Sequence, residues 1–391
     1  MANNSPEPRP TFCVVAASPL TVQAFLQGHI KELAKTGNVE VLSNFRLAES
    51  DFPLPSNVLQ RQIAIPRRIS PLADLLALCR LWRTFRSVRP SLVFSITAKT
   101  GLLAMIAAFL AGIQIRVHCF TGQAWADKQG FARWALKSAD RLTAKLATHL
   151  LADSPTQRDF LESQHVVAQG RIHVPASGSI SGVDCDRFKP DAAVRKAIRQ
   201  RFHLLDDDIL ILFLARVKRS KGILELLEAF EELAAAHPKL HLAIIGPDEE
   251  NLDPVISGSA LSKAGRVHRV SGFVRQHQEY LQASDIFCLP SHYEGFGSIV
   301  IEAGACGLPT IAANVYGLTD AVANGVTGLL HSPGDIKDIT RQLARLVNDN
   351  ALRLRLGEQA RNRAQLKFDQ RLVIAEYVDY ISNISSVSPK V

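Results

Sequence analysis

The sequence predicts an α/β protein of two doubly wound domains, and three observations carry that prediction. At 391 residues the chain is longer than one hydrophobic core usually organises. Short apolar runs alternate with helical patterns along most of it, the rhythm of parallel sheets flanked by helices. The rhythm breaks once, over residues 174–192, and then restarts.

The first run, TFCVVAAS (11–18), reads as a strand. TVQAFLQGHIKELAKTG (21–37) follows as an amphipathic helix ending at glycine, and NVEVLSN (38–44) returns to a strand. Further strands are expected near 58–63, 91–96, 114–119, 149–152 and 172–174, with helices between them. ADSPTQRDFLES (152–163) carries a helix start: Ser154 as N-cap, Pro155 at the first helical position, acids in the early turns. VPASGSISGVDCDRFKPDA (174–192), rich in Ser, Gly, Pro and Asp, reads as the link between domains. Beyond it come a strand at 208–216, a helix at 222–236 and strands at 240–246, 266–272 and 285–290. A helix from about 298 and a strand at 309–313 follow. The expected division is an N-terminal domain over 1–180, a C-terminal domain over 181–370 and a last helix, 371–391, packing back on the first domain. Ligands of such sheets bind at the carboxyl ends of the strands.

Composition narrows the classes. Hydrophobic residues make up 47% and charged ones 21%, ordinary for a soluble globular chain. The cysteines at 13, 79, 119, 185, 288 and 306 form no C-x-x-C pair, which suits a reducing compartment and argues against a disulfide scaffold or zinc ribbon. His237, His241, His268 and His277 lack metal-ligand spacing, so no metal site is expected. MANNSPEPRP at the N-terminus has no apolar signal core. TGLLAMIAAFLAGIQI (100–115) falls short of the roughly 20 residues that span a bilayer, and reads as a buried helix followed by a strand. A cytoplasmic protein without an integral membrane segment is expected.

Charge is uneven. Residues 1–188 hold 21 Lys and Arg against 13 Asp and Glu, whereas the remainder holds 24 of each. A basic first half implies an anionic partner there, nucleic acid or an anionic membrane face, unless the surface is simply soluble. No nucleic-acid-binding motif is present. The basic stretches RWALKSADRLTAKLATH (133–149) and RRISPLADLLALCRLWRTFRSVRP (67–90) fit a surface that meets anionic lipid, or a solvated face.

Two clusters carry chemistry. In SHYEGFGSIVIEAGACGLP (291–309), Gly295 and Gly297 follow a predicted strand and a helix starts near Ser298. Glycines let a ligand approach the backbone closely, and the free N–H groups of a helix start bind phosphate. Glu294 in the loop and Glu302 one turn into the helix would accept hydrogen bonds from sugar hydroxyls. Alternatively, Glu294 caps backbone and Glu302 sits in a salt bridge. In LARVKRSKG (214–222), Arg216 at a strand end and Lys221 at a helix start can reach one phosphate group, with Lys218 and Arg219 between them. A solvated basic loop is the other reading. Together the clusters suit a diphosphate joined to two sugars.

These residues carry a resemblance. ARVKRSKG followed by SHYEGFGSIVIEAGACGLP is similar to the retaining glycosyltransferases of the GT-B fold, family 4, the group that includes bacterial exopolysaccharide and lipopolysaccharide transferases. Their Glu-x7-Glu pair stands here as Glu294 and Glu302, and their Arg-x4-Lys-Gly as Arg216, Lys221 and Gly222. SGVDCDRFKP (181–190) and YGLTDAVANGVTGLLHSPGD (316–335) resemble further segments of that group. The resemblance implies two Rossmann-like domains facing a cleft. It implies that Arg216 and Lys221 bind the donor diphosphate while the amides of Phe296, Gly297 and Ser298 hold phosphate and sugar. Glu302 would bind the ribose and Glu294 the transferred hexose, with Gly272, Phe273 and Val274 against the base. The implied reaction moves a hexosyl unit from a nucleotide sugar, a UDP- or GDP-sugar, with retention and with no resident cofactor or metal. The acceptor would be a glycan or polyprenyl-linked glycan at the inner face of the plasma membrane.

The sequence departs from that family pattern on the acceptor side. Where relatives place a histidine in a turn after an N-terminal strand, RVHCFTGQAWAD (116–127) places Thr121, with His118 three residues earlier and on the opposite face of the strand. Thr121, Gly122 and Gln123 are the candidates for hydrogen bonds to sugar there, and His118 is a candidate that packing competes for. The usual glycine-rich loop after the first strand is absent, and ASPLTVQAF (17–25) offers Ser18 and Thr21 instead. Asp320 is a further possible acceptor of sugar hydroxyls or a helix-start acid. Two other functions fit the same fold: a nucleotide-sugar epimerase, and a catalytically silent partner subunit that binds nucleotide sugar or lipid.

Overall fold

The structure, a computed structural model, describes residues 9–47, 54–66 and 69–386. Most of the N-terminal stretch read for a signal, and Arg67 and Arg68 of the basic segment, lie outside the described residues. The chain forms two compact units: Met1–Ser181 with Arg371–Val391, and Gly182–Gln370.

In the first unit the elements run β1 (Thr11–Val15), α1 (Pro19–Thr21), a π-helical turn (Val22–Leu26), α2 (Gln27–Thr36), β2 (Asn38–Ser43), β3 (Val58–Gln62) and α3 (Pro71–Val88). They continue with β4 (Leu92–Ile96), α4 (Ala98–Leu110), β5 (Ile115–Phe120), α5 (Gly130–Leu146), β6 (His149–Ala152), α6 (Pro155–Ser163) and β7 (Ile172–His173). The strands pair in parallel in the order β3-β2-β1-β4-β5-β6-β7. Alternation along β1 sorts its side chains between two layers. Cys13 and Val15 pack with Leu81 and Phe85 of α3 and with Ala104 of α4. Phe12 and Val14 face the other way, onto Ile30 and Leu33 of α2 and onto Val373, Tyr377 and Ile381 from the end of the chain.

The helix expected over 21–37 differs at its start. Ser18 Oγ accepts the Thr21 amide and Pro19 fills the first helical position, so the turn begins at Pro19 and then widens into the π turn. The start at Ser154 is as the sequence reads, its Oγ accepting from Gln157 N at 3.1 Å, but the first turn holds no acid. The apolar run 100–115 divides into the buried α4 and the entry to β5. Among the described residues no helix is long and apolar enough to cross a membrane.

The second unit runs α7 (Ala192–Arg201), β8 (Ile209–Leu214), a 3-10 turn (Arg219–Lys221), α8 (Ile223–Ala234), β9 (Leu240–Gly246), α9 (Asp253–Gly258), α10 (Ala260–Lys263) and β10 (Val267–Ser271). It continues with α11 (Gln278–Ala283), β11 (Ile286–Leu289), α12 (Ser298–Ala305), β12 (Thr310–Ala313), α13 (Leu318–Ala321), β13 (Gly328–His331), α14 (Ile336–Asn348) and α15 (Asn350–Lys367). The last helix, α16 (Gln370–Ser386), returns the chain to the first unit. All six strands are parallel, in the order β10-β9-β8-β11-β12-β13. β13 is an element the sequence reading did not assign; its four residues GLLH extend the sheet beyond β12.

The segment 174–191 has no regular element, yet it is held in place. Ser179 N and Ile180 N donate to the backbone and side chain of Asp153, and Val183 bridges Asp369. The unit boundary falls between, at Ser181 and Gly182.

Candidate active site

A doubly wound sheet opens a crevice where its strand order reverses, because neighbouring loops there lead to helices on opposite faces. In the second unit that point lies between β8 and β11. Both clusters singled out in the sequence leave the sheet there: Arg216 to Lys221 after β8, and Glu294 to Ser298 after β11.

Glycine makes the junction possible. Gly222 has φ +73° and ends the 3-10 turn, and a Cβ on it would lie 2.2 Å from the carbonyl oxygen of Pro290. The β8 loop therefore lies directly against the β11 loop. His292 N donates to Ser220 O at 3.0 Å, and His292 Nε2 pairs with Glu225 Oε1 at 2.8 Å. That contact holds the Glu225 carboxyl below the usual carboxylate range. Lys218 lies 5.9 Å over the Tyr293 ring, and burial, aided by repulsion from Arg216 and Lys221, lowers its pKa.

Across this junction Lys221 Nζ forms an ion pair with Glu294 Oε1, and Ser291 Oγ donates to the same carboxylate oxygen at 3.0 Å. Both side chains are largely buried. Arg216 pairs instead with Glu249, Nη1 to Oε2, at 3.0 Å. Gly297, φ +84°, precedes α12 and has no side chain to cap it, so the first amides of the helix receive no cap from that residue. The Phe296 side chain is buried edge-on against Phe368, which leaves its backbone as the part that can meet a ligand. Glu302 stands on the second turn of α12 and accepts a hydrogen bond from His277 Nε2 at 2.9 Å.

Gly272, Phe273 and Val274 follow β10, two strands from β8, hence about 10 Å along the sheet edge from the Arg216 loop. Phe273 is 66% exposed and Val274 packs on the core. Because His277 begins α11 just beyond them and reaches Glu302, this segment adjoins the α12 carboxylate. The backbone carbonyl of Asp320 accepts from Arg363. Among the described residues no cluster of His, Cys, Asp or Glu is arranged to hold a metal.

Sequence reasoning did not find Glu249, His277 as the partner of Glu302, Ser291 or the Glu225–His292 pair. Strand order was the missing signal: β9 adjoins β8, so the acids of GPDEEN after β9 must lie beside the cations after β8.

In the first unit the reversal lies between β1 and β4. Ser18 and Thr21 sit past the end of β1, half-buried, with their hydroxyls 3.0 Å apart. Thr121 and Gly122 leave β5 half-exposed. Two acceptor-side candidates have their side chains in the core, as packing would have it for His118 and against the sugar-facing reading of Gln123. His118 is fully buried, bonded through Nδ1 to Ser95 Oγ at 3.0 Å and edge-on to Phe120, and burial lowers its pKa to about 3. A Cβ on Gly101 would fall 2.2 Å from its ring, so α4 seals it in. Gln123 is also fully buried, its Oε1 accepting from Gln157.

The comparisons agree with this architecture. A profile described as "Glycosyl transferase 4-like domain" matches residues 22–178, and one described as "Glycosyl transferases group 1" matches 194–363. The chain is 29% identical over 322 residues to the capsular polysaccharide biosynthesis glycosyltransferase CapM of Staphylococcus aureus, covering 82% of this chain and 84% of that one. It is 26% identical to the UDP-Gal:alpha-D-GlcNAc-diphosphoundecaprenol alpha-1,3-galactosyltransferase of Escherichia coli, covering 81% of each. The crystal structure of Anabaena Alr3699/HepE in complex with UDP-glucose superposes with a TM-score of 0.76 at 19% identity, over 96% of this chain and 100% of that one. With one profile on each of two parallel sheets, the chain belongs to the family-4 glycosyltransferases of the GT-B fold.

Proposed function

We propose that this glycosyltransferase is a retaining, metal-independent hexosyltransferase. It takes its sugar from a nucleoside diphosphate donor and passes it to a lipid-linked glycan in cell-surface polysaccharide biosynthesis. The observation that carries the reading is the Lys221–Glu294 pair at the β8/β11 reversal. In a nucleotide sugar the hexose is esterified directly to a phosphate, so a cation for phosphate and a carboxylate for hydroxyls must adjoin, and these do.

Each other group then has a task. Arg216, Lys221 and the amides of Phe296, Gly297 and Ser298 stabilise the charge that grows on the leaving diphosphate. Glu302, held by His277, takes the ribose hydroxyls, and exposed Phe273, with Gly272 and Val274, offers a face to the base. The anomeric C–O bond to phosphate breaks, the acceptor oxygen bonds the anomeric carbon from the same face, and its proton passes to the departing diphosphate. Glu294, tethered on the phosphate side by Lys221, acts as a binding group in this scheme rather than as the nucleophile of a double displacement. Ser18, Thr21, Thr121 and Gly122 remain the residues offered to the acceptor. A UDP- or GDP-sugar fits, with no resident cofactor. The E. coli and Anabaena relatives' names, with UDP-Gal, diphosphoundecaprenol and UDP-glucose in them, support donor and acceptor of these classes.

A membrane-linked acceptor also suits the first unit. α3, α4 and α5 pack side by side on one face of its sheet. Leu72, Leu75 and Leu76 of α3 and the stacked Phe131 and Trp134 of α5 are exposed, as are Arg80, Arg83 and Arg86. Apolar side chains among cations fit the headgroup layer of an anionic bilayer at the inner membrane face. Arg133 and Lys137, expected in that surface, are instead tied to Gln164 and lie over the Trp125 ring.

The test is incubation with a panel of UDP- and GDP-sugars and analysis of the products. Slow donor hydrolysis or transfer that vanishes in Glu294→Ala is expected. Interconversion of epimers without transfer would make the protein an epimerase, and binding without any product would make it a silent subunit.

A further inference from the structure

The cation assigned to the diphosphate already has an anion beside it. Because β9 neighbours β8, the chain leaving β9 runs along the Arg216 loop, and it carries Asp248, Glu249 and Glu250. Backbone bonds fix the two segments: Val217 N donates to Pro247 O at 2.8 Å, and Glu249 N donates to Val217 O at 3.1 Å. From that anchored position both Glu249 carboxylate oxygens accept from Arg216 Nη1, at 3.3 and 3.0 Å. Asp248 is occupied otherwise, its oxygens accepting the amides of Glu250 and Asp253. Glu250 accepts the Arg219 amide at 3.0 Å. Of the three acids, Glu249 is the one seen to meet a cation of the Arg-x4-Lys pair among the described residues. The side chains are 42% and 28% exposed, so the pair can open into water without stranding a buried charge.

A carboxylate held on Arg216 Nη1 occupies a donor that a phosphate would use. We propose that Glu249 is a built-in competitor for the diphosphate. It holds Arg216 while the site is free, yields it to the donor and reclaims it as the nucleoside diphosphate departs. The proposal rests on the assignment of Arg216 to the diphosphate made above. Its functional sense lies in charge. A sugar ester masks one ionisable oxygen of the diphosphate, and transfer unmasks it, so the product carries more negative charge than the donor. A carboxylate competing for Arg216 then offsets the tighter hold that the added charge gives the product, and limits product inhibition.

The experiment is titration calorimetry with UDP, and with GDP in parallel, on wild type, Glu249→Gln, Arg216→Ala and the double variant. Circular dichroism checks that each is folded. Glu249→Gln is expected to tighten nucleoside diphosphate binding roughly three- to tenfold, and to shrink to less than about twofold when Arg216 is already alanine. Unchanged or weaker binding in Glu249→Gln, or a gain that persists undiminished in the double variant, overturns the competitor role while leaving the phosphate assignment standing. Equal affinity of Arg216→Ala and wild type overturns the assignment itself, and the competitor with it.

Discussion

Two sheets in this chain are wound alike, β3-β2-β1-β4 in the first unit and β10-β9-β8-β11 in the second, and they furnish the point of reversal in opposite ways. The second unit crowds it with charge: Lys221 on Glu294, Arg216 on Glu249, Lys218 over Tyr293. The first unit offers hydroxyls, Ser18 against Thr21, and hides its histidine and glutamine in the core. Winding supplies a place to bind, and the loop residues decide what binds. A diphosphate has fixed, strong charges that demand a fixed set of cations. The neutral sugar ring of an acceptor can be held by many combinations of hydroxyls and amides.

Four measurements sharpen or break that contrast. The largest effect is expected at the charged end: Lys221→Met should lower kcat/KM for transfer by about 100- to 1,000-fold, the scale of removing one preorganised donor to a developing anion. Thr121→Val, in the first unit, should instead raise the acceptor KM and leave nucleoside diphosphate affinity as it was. A loss of nucleotide affinity in Thr121→Val would erase the division of labour.

Next comes acid stability. His118, its pKa lowered to about 3 by burial, refuses a proton that the unfolded chain accepts below about pH 6.5, so stability falls as pH drops from there. At pH 5 that amounts to about 2 kcal/mol, and His118→Leu should remove it, flattening the pH dependence between 6.5 and 4. Trp82, Trp125 and Trp134 all lie in the first unit, so tryptophan fluorescence during urea unfolding reports on the unit that holds His118. An unaltered slope in His118→Leu would contradict the sealed, neutral ring.

The smallest effect is at the surface. Leu75→Glu should reduce cosedimentation with anionic vesicles severalfold, on the order of 1 kcal/mol, with no change in transfer to a soluble acceptor analogue. Equal binding of wild type and variant would return α3 to a solvated face.

Much of this was legible in the sequence, for a physical reason. Strands of parallel sheets are buried on both faces, so TFCVV, ILILFL and LHLAIIG announce themselves as continuous apolar runs. Arg216, Lys221, Glu294 and Glu302 are legible because their spacings are set within single strand-loop-helix units. β13 escaped notice because GLLH is four residues long with a glycine at its head. The π turn at Val22–Leu26 escaped because a shift from one hydrogen-bond partner to the next leaves the apolar spacing nearly intact. Glu249 and His277 escaped because each meets its partner, Arg216 or Glu302, from a different segment of the sheet edge. His118 shows the complementary limit: a polar residue on a strand can face a ligand or the core, and only the Gly101 helix packed upon it decides.

One feature of the chain's path bears on how the protein is made. Val373, Tyr377 and Ile381 of α16 complete the apolar layer beneath Phe12, Val14 and Ile30. Those residues leave the ribosome only after the whole of Gly182–Gln370 has emerged. The sheet of the first unit, though synthesised before Gly182–Gln370, must therefore wait with one flank bare until α16 has emerged, while the second unit can finish on its own. A nascent chain truncated before residue 373 is in consequence a natural client for chaperones.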